Sequence, residues 1–569
     1  MATTDEQLDV HAGDRLGERF EPALSDEFAS RALARADRLQ TFVPGITAVQ
    51  LAVVLLLAAV YLTTSFYALH HTDLWAHLAF GRAMVDGGTL LAAEPFGVET
   101  GDQPFINVSW LAQIAGYQIY QFAGPTGLRL LHAVLATAAI GCLLPAVRSR
   151  RVSWPWAIAA AATAYLLSST VVGVIRPQLV GMVALPLVLL AVGRIARRRD
   201  PLYWLPLVFL LWANLHGSFV LGIFVLLVVL CDSVLTARRK QTPSRLTPHA
   251  SSLKPQASSL TLTSLCLLAT CINPLGPGLW LAVLGFSGQA NIADIVEWRP
   301  LVLNSFGGAM FFATLLVTAL LLRLSPRRFR LSEVVLLLAF AAATLLSMRF
   351  IAWWALIWPW VVAPHAMAVA RAWIGRAPSI TPADRQPVRT LIAVAAILLA
   401  LVWAPGSHAV LADRPLTVAR AANSETPILL AEELNNRQFT GKVFAPLAWA
   451  DYLLFSSEGR LRPLVYSHVH LIDPGAWSDY RQIDGGAAGW LGIADRAELR
   501  YLILPRRDET ARLIVSHPRT VIRYQDQQSL VVELLPPAED AVGPAAPVAP
   551  SDGVPATQVH DTREDTSKG

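Results

Sequence analysis

Residues 46–68 read ITAVQLAVVLLLAAVYLTTSFYA, and residues 70–110 follow as HHTDLWAHLAFGRAMVDGGTLLAAEPFGVETGDQPFINVSW. The first stretch is long enough to cross a bilayer, which takes about 17–25 residues. The second stretch places three histidines and several acids directly outside that span. Ionisable groups at a membrane boundary cost free energy unless they face water, a substrate or each other, so the second stretch is a candidate functional site.

The chain as a whole is strongly apolar. Of its 569 residues, 54% are hydrophobic and 15% are charged, and the mean hydropathy is +0.46. We therefore predict an α-helical polytopic membrane protein with about eleven transmembrane helices. The predicted spans are residues 46–68, 125–147, 154–173, 177–194, 201–216, 218–236, 258–273, 308–324, 331–348, 350–371 and 388–404.

Lysine and arginine cluster in alternate connections between these spans. Short cytoplasmic loops carry an excess of these residues, and with eleven spans every basic cluster lies on the side of the N-terminus. We therefore expect a multi-pass protein of a bacterial cytoplasmic (inner) membrane, with a cytoplasmic segment 1–44. The net charge of +5 reflects this bias and does not indicate nucleic-acid binding. The basic clusters are residues 31–38, 148–151, 194–199, 238–254, 326–330 and 371–389.

The region after the last span has a different pattern. We expect residues 45–404 to form the membrane domain, with a large first outer loop at 69–124, and residues 405–535 to form a small extracytoplasmic α/β domain. The tail 536–569 is rich in Pro, Ala and Asp, which favours disorder. Helices are predicted at 74–85, 108–122, 425–437, 475–483 and 508–516, and strands at 442–445, 463–466, 501–504, 520–524 and 529–535.

Short polar motifs stand in or beside the connections predicted to face outside. They are Asp73-Leu-Trp-Ala-His77-Leu-Ala-Phe-Gly81, Glu94-Pro95-Phe96, Trp110-Leu111-Ala112, Arg176-Pro177-Gln178, Asn214-Leu215-His216-Gly217, Ile272-Asn273-Pro274 and Arg349-Phe350. Over residues 46–535 they resemble bacterial membrane proteins of the C-type glycosyltransferase superfamily. That superfamily includes oligosaccharyltransferases, protein mannosyltransferases and lipid A aminosugar transferases.

The resemblance implies a lipid-linked-sugar-dependent hexosyl- or pentosyltransferase. Its donor would be a sugar linked to polyprenyl phosphate in the membrane lipid, and its acceptor a glycan, lipid or protein on the extracytoplasmic face. Such a reaction needs a proton acceptor and groups that stabilise the leaving phosphate. We expect the catalytic residues to be Asp73, His77 and Glu94. We expect the substrate-binding residues to be Arg176, Gln178, Asn214, His216, Glu297, Arg299 and Arg349.

A divalent cation, Mg²⁺ or Mn²⁺, is an open alternative with no assigned ligand set. The superfamily often places two acids close together in the first outer loop. Here His71 stands two residues before Asp73, so a second ligand would have to come from His71, His77 or Glu94. His468, His470 and Asp473 are also spaced like metal ligands, but polar residues at strand ends are the plainer interpretation.

Each candidate residue also has a structural interpretation. Asp73 could be only an N-cap, and His77 only a packed histidine. Arg176 and Arg349 could reach lipid headgroups, and the Glu297-Trp298-Arg299 motif could hold a plain surface ion pair. Two other functional classes stay open: a transporter or flippase of lipid-linked sugars, and a non-catalytic membrane assembly subunit.

Overall fold

The computed structural model describes residues 44–69, 73–195, 202–240, 250–375 and 385–536. The segment 1–44, the tail 536–569 and His71 thus lie outside the described residues, apart from Pro44 and Pro536. In chain order the helices are α1 (Ala48–Ser65), α2 (Leu74–Gly87), α3 (Trp110–Arg148), α4 (Trp154–Val172), α5 (Gln178–Ile195), α6 (Leu205–Leu215), α7 (Phe219–Lys240), α8 (Ala250–Thr270), α9 (Gly278–Gly285), α10 (Phe306–Leu324), α11 (Leu331–Leu346), α12 (Ile351–Trp373), α13 (Pro387–Trp403), α14 (Pro405–Leu411), α15 (Val418–Ala421), α16 (Ile428–Asn436), α17 (Leu447–Ser456), α18 (Pro474–Asp484), α19 (Trp490–Arg496) and α20 (Glu509–Val515). The strands are β1 (Gly441–Phe444), β2 (Leu461–Pro463), β3 (Tyr501–Pro505), β4 (Thr520–Gln525) and β5 (Ser529–Leu534).

The membrane part is a bundle of apolar helices. Within the described residues, seven helices are long and apolar enough to cross a membrane, or eight if the pair α13 and α14, bent by 85°, forms one span. Helices α6, α8 and α11 contain shorter apolar stretches at three further predicted positions. The mostly helical, polytopic architecture agrees with the prediction, whereas the count of eleven spans stays a prediction.

Helix α12 is the central helix of this bundle. In the segment Met348–Trp373, 89% of the most apolar 18-residue stretch is buried, compared with 17% of the corresponding stretch in α1 and 22% in α10. Its aromatic side chains pack among the other helices, and Trp354 is fully enclosed. Arg349 immediately precedes this central helix, so a charged side chain stands at the end of the most deeply buried span.

Helix α3 joins two elements that the sequence suggests are separate. The predicted interfacial helix 108–122 and the predicted span 125–147 form one run, Trp110–Arg148, which bends at Gly124. Gly124 has φ 56° and ψ −151°, a conformation essentially restricted to glycine. Pro125 then starts the second segment, where its missing N–H costs little because the helical hydrogen bonds begin anew.

Helix α2 joins the bundle to the C-terminal domain. Its two buried faces belong to two apolar clusters, with Phe80 in one and Trp75 in the other, and both clusters continue into the domain. A Cβ on Gly81 would lie 2.2 Å from the Gln113 carbonyl oxygen, so glycine allows α2 to approach α3 closely. The helix ends at the glycine pair Gly87-Gly88, two residues beyond its predicted bound, and Gly88 takes a left-handed conformation.

The C-terminal domain contains a five-stranded mixed sheet in the order β2-β1-β3-β5-β4. Strand β1 is parallel to β2 and β3, whereas β5 is antiparallel to β3 and β4. Four predicted strands lie within one or two residues of their expected bounds. The strand predicted at 463–466 is wrong: β2 ends at Pro463, and Val465 and Tyr466 are buried in an irregular segment instead. Helices α17 and α19 were not predicted.

Candidate active site

Four charged side chains from separate segments meet beside the N-terminus of α2. Arg176 Nε lies 3.0 Å from Asp73 Oδ2, and Arg176 Nη1 lies 2.6 Å from Glu297 Oε2. Glu297 Oε2 is also 3.6 Å from Arg349 Nη1. The Arg176 side chain is only 10% exposed, and that of Glu297 is 35% exposed. The structure therefore brings together four of the predicted site residues in one partly buried chain of alternating charge.

Asp73 does not act as a side-chain N-cap. It occupies the N-cap position of α2 and its carbonyl accepts the His77 N–H at 2.9 Å, but its carboxylate makes no capping hydrogen bond. Its φ of 61° is unusual for a residue other than glycine. The carboxylate turns towards Arg176 instead. The interpretation of Asp73 as only a cap is wrong.

The charge state of Asp73 follows from its surroundings. Burial would raise the pKa of its carboxyl group, but the nearby cationic and imidazole side chains, with Arg176 first among them, lower the pKa to about 2. Asp73 is thus a fixed negative charge at neutral pH. A carboxylate with so low a pKa is a weak proton acceptor but a good partner for developing positive charge.

Histidines from both halves of the protein lie around Asp73. The ring centroids of His77 and His468 are 4.7 Å apart, and those of His468 and His470 are 5.7 Å apart. Burial lowers the pKa of His77 to about 4 and the pKa values of His468 and His470 to about 3. These three rings are therefore neutral at physiological pH. The sequence indicated His77 as a site residue, and the structure adds His468 and His470 to its surroundings.

Two neighbours set the tautomer of His77. Asn107 Nδ2 donates to Gln113 Oε1 at 2.7 Å, which leaves the Gln113 amide nitrogen to face His77 Nδ1 at 3.2 Å. A neutral ring that accepts at Nδ1 carries its proton on Nε2. His216 is held in the same way, because the Ser218 N–H donates to its Nδ1 at 3.1 Å. Both imidazoles therefore offer an N–H at Nε2.

Asp451 on α17 is a second carboxyl group beside Asp73. It is 1% exposed, and its Oδ1 accepts the Ser467 N–H at 2.9 Å. Burial raises its pKa to about 7, and the Asp73 carboxylate adds to the rise. Asp451 is not among the site residues predicted from the sequence. The available signal was a lone acid within an otherwise apolar helical stretch, LAWADYLLFS.

Several buried polar atoms in this region have no hydrogen-bond partner among the described residues. They include Asp451 Oδ2, both ring nitrogens of His468 and both amide atoms of Gln178. Gln178, which is 2% exposed, stands two residues after Arg176. Unpaired buried polar atoms cost free energy, and their concentration near one carboxylate pair is expected where a polar ligand binds.

Three predicted site residues make other contacts. Glu94 accepts the N–H groups of Phe96 and Val98, each at 2.9 Å, and the Tyr466 hydroxyl at 3.1 Å. Asn214 accepts Trp110 Nε1 at 3.1 Å and donates to the carbonyls of Leu210 and Ile272. Arg299 is exposed and donates to the Asp294 carbonyl at 3.1 Å. Their catalytic or substrate-binding roles stay predictions.

The described donor side chains near Asp73 bear on the divalent cation that the sequence leaves open. Within the described part of the chain, no group of three or more His, Cys, Asp or Glu side chains is arranged to hold a metal ion. Asp73 faces Arg176, and Asp473 caps α18 by accepting the Gly475 N–H at 2.7 Å. These described side chains therefore do not fit a cation.

Comparison with known proteins gives a likeness of fold. No family model and no curated protein sequence matches the chain. The structure is similar to arabinofuranosyltransferase AftD from Mycobacteria, in a mutant form, with a TM-score of 0.50 and 16% identity over 87% of this chain. The match covers 42% of AftD, so this chain spans less than half its length.

A weaker similarity is found to the archaeal oligosaccharyltransferase AglB from Archaeoglobus fulgidus, in complex with an inhibitory peptide and a dolichol-phosphate. Its TM-score is 0.45, with 13% identity over 80% of this chain and 69% of that one. AftD and AglB are both C-type glycosyltransferases. The likeness to AftD agrees, in fold alone, with the superfamily resemblance that the sequence motifs indicate.

Proposed function

We propose that this protein is a membrane glycosyltransferase that moves a sugar from a polyprenyl-phosphate-linked donor to an acceptor hydroxyl or amide. One observation carries the proposal. Asp73 from the membrane domain, which is partly exposed, and the buried Asp451 from the C-terminal domain form a pair with separated pKa values, beside Arg176 and Arg349. Carboxyl pairs with separated pKa values are typical of sites that use one group as a charge and the other as a base.

Arg349 is suited to bind the donor phosphate. Its nearest carboxylate oxygen, on Glu297, is 3.6 Å away, and its guanidinium lies 5.2 Å from the centre of the Trp298 ring. Its side chain is 24% exposed, so a phosphate can replace the long contact with Glu297 without displacing a tightly held partner. Arg176 contacts Asp73 and Glu297 at shorter distances and would mainly hold Asp73 in position.

Asp451 is suited to accept the acceptor's proton. A general base works best when its pKa lies near the operating pH, which favours Asp451 over Asp73. In the proposed step the acceptor oxygen or nitrogen attacks the anomeric carbon and its proton moves to Asp451 Oδ2. The bond from the anomeric carbon to the phosphate oxygen breaks, and polyprenyl phosphate leaves. Asp73 stabilises the positive charge that develops on the sugar.

The proposal is tested with the purified full chain in lipid nanodiscs. A panel of polyprenyl-phosphate-linked pentoses and hexoses is supplied with envelope glycan acceptors, and release of polyprenyl phosphate is measured. Asp451→Asn should lower release by about 100-fold or more, the range expected for loss of a general base. Glu498→Gln is the control because that side chain is 78% exposed and pairs with Lys442 at the surface.

Two results would reject the proposal. One is a native chain that releases no polyprenyl phosphate from any donor of the panel. The other is an Asp451→Asn variant that works at the rate of Glu498→Gln, which would remove the proton-acceptor role.

A further inference from the structure

A second polar cleft lies at the end of the helix bundle opposite the Asp73 site. It has a volume of about 430 Å³ and opens between the ends of α3 and α5 and the start of α4. Helix α5 begins at Gln178, beside Arg176, and reaches Arg194 near its last residue. Its 18 residues span about 27 Å, close to the thickness of a bilayer's hydrocarbon core, so the two sites face opposite membrane surfaces.

The cleft is strongly basic. Arg148, Arg151 and Arg194 line it, and no carboxylate of the described residues does. Arg150 differs from these three arginines, because it does not line the cleft and pairs with the buried Glu333. None of the three lining arginines forms a salt bridge within the described part of the chain. Like charges in one cleft repel each other, and a bound anion would relieve that repulsion.

One of the three arginines is held in place by the protein, and a second has a buried nitrogen without a partner among the described residues. Arg148 donates to the Val152 carbonyl, and its guanidinium lies 4.9 Å from the centre of the Trp154 ring. The Nε atom of Arg194 is buried and has no hydrogen-bond partner among the described residues. A buried guanidinium nitrogen without an acceptor is costly and is expected where a ligand supplies the missing oxygen.

Close helix packing brings these arginines together. A Cβ on Gly193 would lie 1.8 Å from Ser149 Oγ, so only glycine lets the ends of α3 and α5 meet at this distance. Ser149 is 7% exposed and donates to the Ala146 carbonyl at 2.6 Å. The cleft is therefore built by the packing of two long helices and does not depend on a loop conformation.

We propose that this cleft binds the phosphate headgroup of an anionic phospholipid. The arginines provide charge-assisted donors, while Trp154, 38% exposed, and Leu190 provide an apolar wall. This combination matches the boundary between headgroups and acyl chains, where tryptophan is favoured. Under the orientation that the basic clusters predict, the cleft faces the cytoplasmic leaflet, and basic clefts between helices on that side bind anionic headgroups.

The test measures the melting temperature of the delipidated full chain in neutral detergent. Phosphatidylglycerol, phosphatidylcholine and inorganic phosphate are titrated separately. We expect a saturable rise with phosphatidylglycerol and none with the other two. Each arginine removed should raise the half-saturating lipid concentration by about fivefold. The variants are Arg148→Gln, Arg194→Gln and their combination, and Arg323→Gln is the control because it is exposed outside the cleft near the same end of the bundle.

The outcomes separate the possible ligands. An equal rise with phosphatidylcholine would overturn the proposal, since it would indicate a general lipid effect. A rise with inorganic phosphate would overturn it in favour of a soluble anion. Variants that respond like Arg323→Gln would also overturn it. If Arg148→Gln and Arg194→Gln do not fold, Arg151→Gln decides, because Arg151 is exposed and its loss should still weaken the response about fivefold.

Discussion

Arg176 holds Asp73 through a contact of 3.0 Å between Nε and Oδ2, and this contact ties the first loop to the connection between α4 and α5. Asp73 keeps a backbone φ of 61° while its carboxylate faces Arg176. Residues held in such sparsely populated conformations persist only when the surrounding structure fixes them. Arg176 is therefore part of what positions Asp73, and Glu297 in turn holds Arg176.

This contact predicts a loss of stability in Asp73→Asn. Hydrogen bonds to charged groups contribute about 1.5–3 kcal/mol, and the variant leaves the Arg176 guanidinium short of one charged partner. Thermal unfolding in detergent measures the change. Asp479→Asn is the control, since Asp479 pairs with the largely exposed Arg496 at 3.3 Å and should matter little. Equal melting temperatures for the two variants would mean that the Asp73 contact adds nothing to stability.

The buried histidines predict a loss of stability in acid. Unfolded imidazoles bind protons below about pH 6.5, whereas His77 stays neutral to about pH 4 and His468 and His470 to about pH 3. The unfolded state therefore binds more protons in this window, and the free energy of unfolding falls as the pH drops from 6.5 to 4. As the pH is lowered across this range, the melting temperature should fall less steeply for His468→Gln than for the native chain. If the melting temperatures of the two proteins fall equally with pH, His468 is not a buried neutral side chain.

Asp451 should change the free energy of unfolding with pH in the opposite direction. Its pKa is about 7 in the folded state and 3.8 in the reference state, so between these values the folded chain keeps a proton that the unfolded chain has lost. The stability that this group provides is complete below pH 3.8 and is lost as the pH rises through 7. Asp451→Asn should therefore gain stability relative to the native chain between pH 5 and pH 8. If the difference in stability between Asp451→Asn and the native chain stays constant from pH 5 to pH 8, the pKa of Asp451 lies near its ordinary value.

Gly181 gives a prediction about packing near the site. A Cβ at this position would lie 2.5 Å from Ser218 Oγ and 2.8 Å from Trp212 Nε1, in the group of residues that holds His216. Gly181→Ala should cost about 1–3 kcal/mol through overpacking. Gly278→Ala is the control, because nothing lies within 4 Å of its Cβ. Thermal unfolding of both variants distinguishes a tight contact at Gly181 from a general effect of alanine.

The sequence predicts the membrane class and part of the site because both depend on local signals. A span is recognised from the length of its apolar run, and Asp73, Arg176, Glu297 and Arg349 stand out as charges beside such runs. Their meeting follows once consecutive spans alternate across the membrane. The bend of α3 at Gly124 was not foreseen, since a glycine inside an apolar stretch is compatible with either a straight or a bent helix.

Asp451 could not be placed from sequence because its position depends on long-range docking. It is more than 370 residues from Asp73, and the two meet only because α17 packs on α2. Arg82 of α2 helps to hold this contact by donating to the Phe455 carbonyl at 2.6 Å. Apolar periodicity shows that each helix has a buried face but does not show which partner covers it.

The most direct test of the proposed site is a cryo-EM structure of the full chain in nanodiscs with a non-transferable polyprenyl phosphosugar analogue. We predict phosphate density within hydrogen-bond distance of Arg349 and sugar density between Asp73 and Asp451. Analogue bound elsewhere, with Arg176 and Arg349 still on Glu297 and no density beside Asp451, would contradict it.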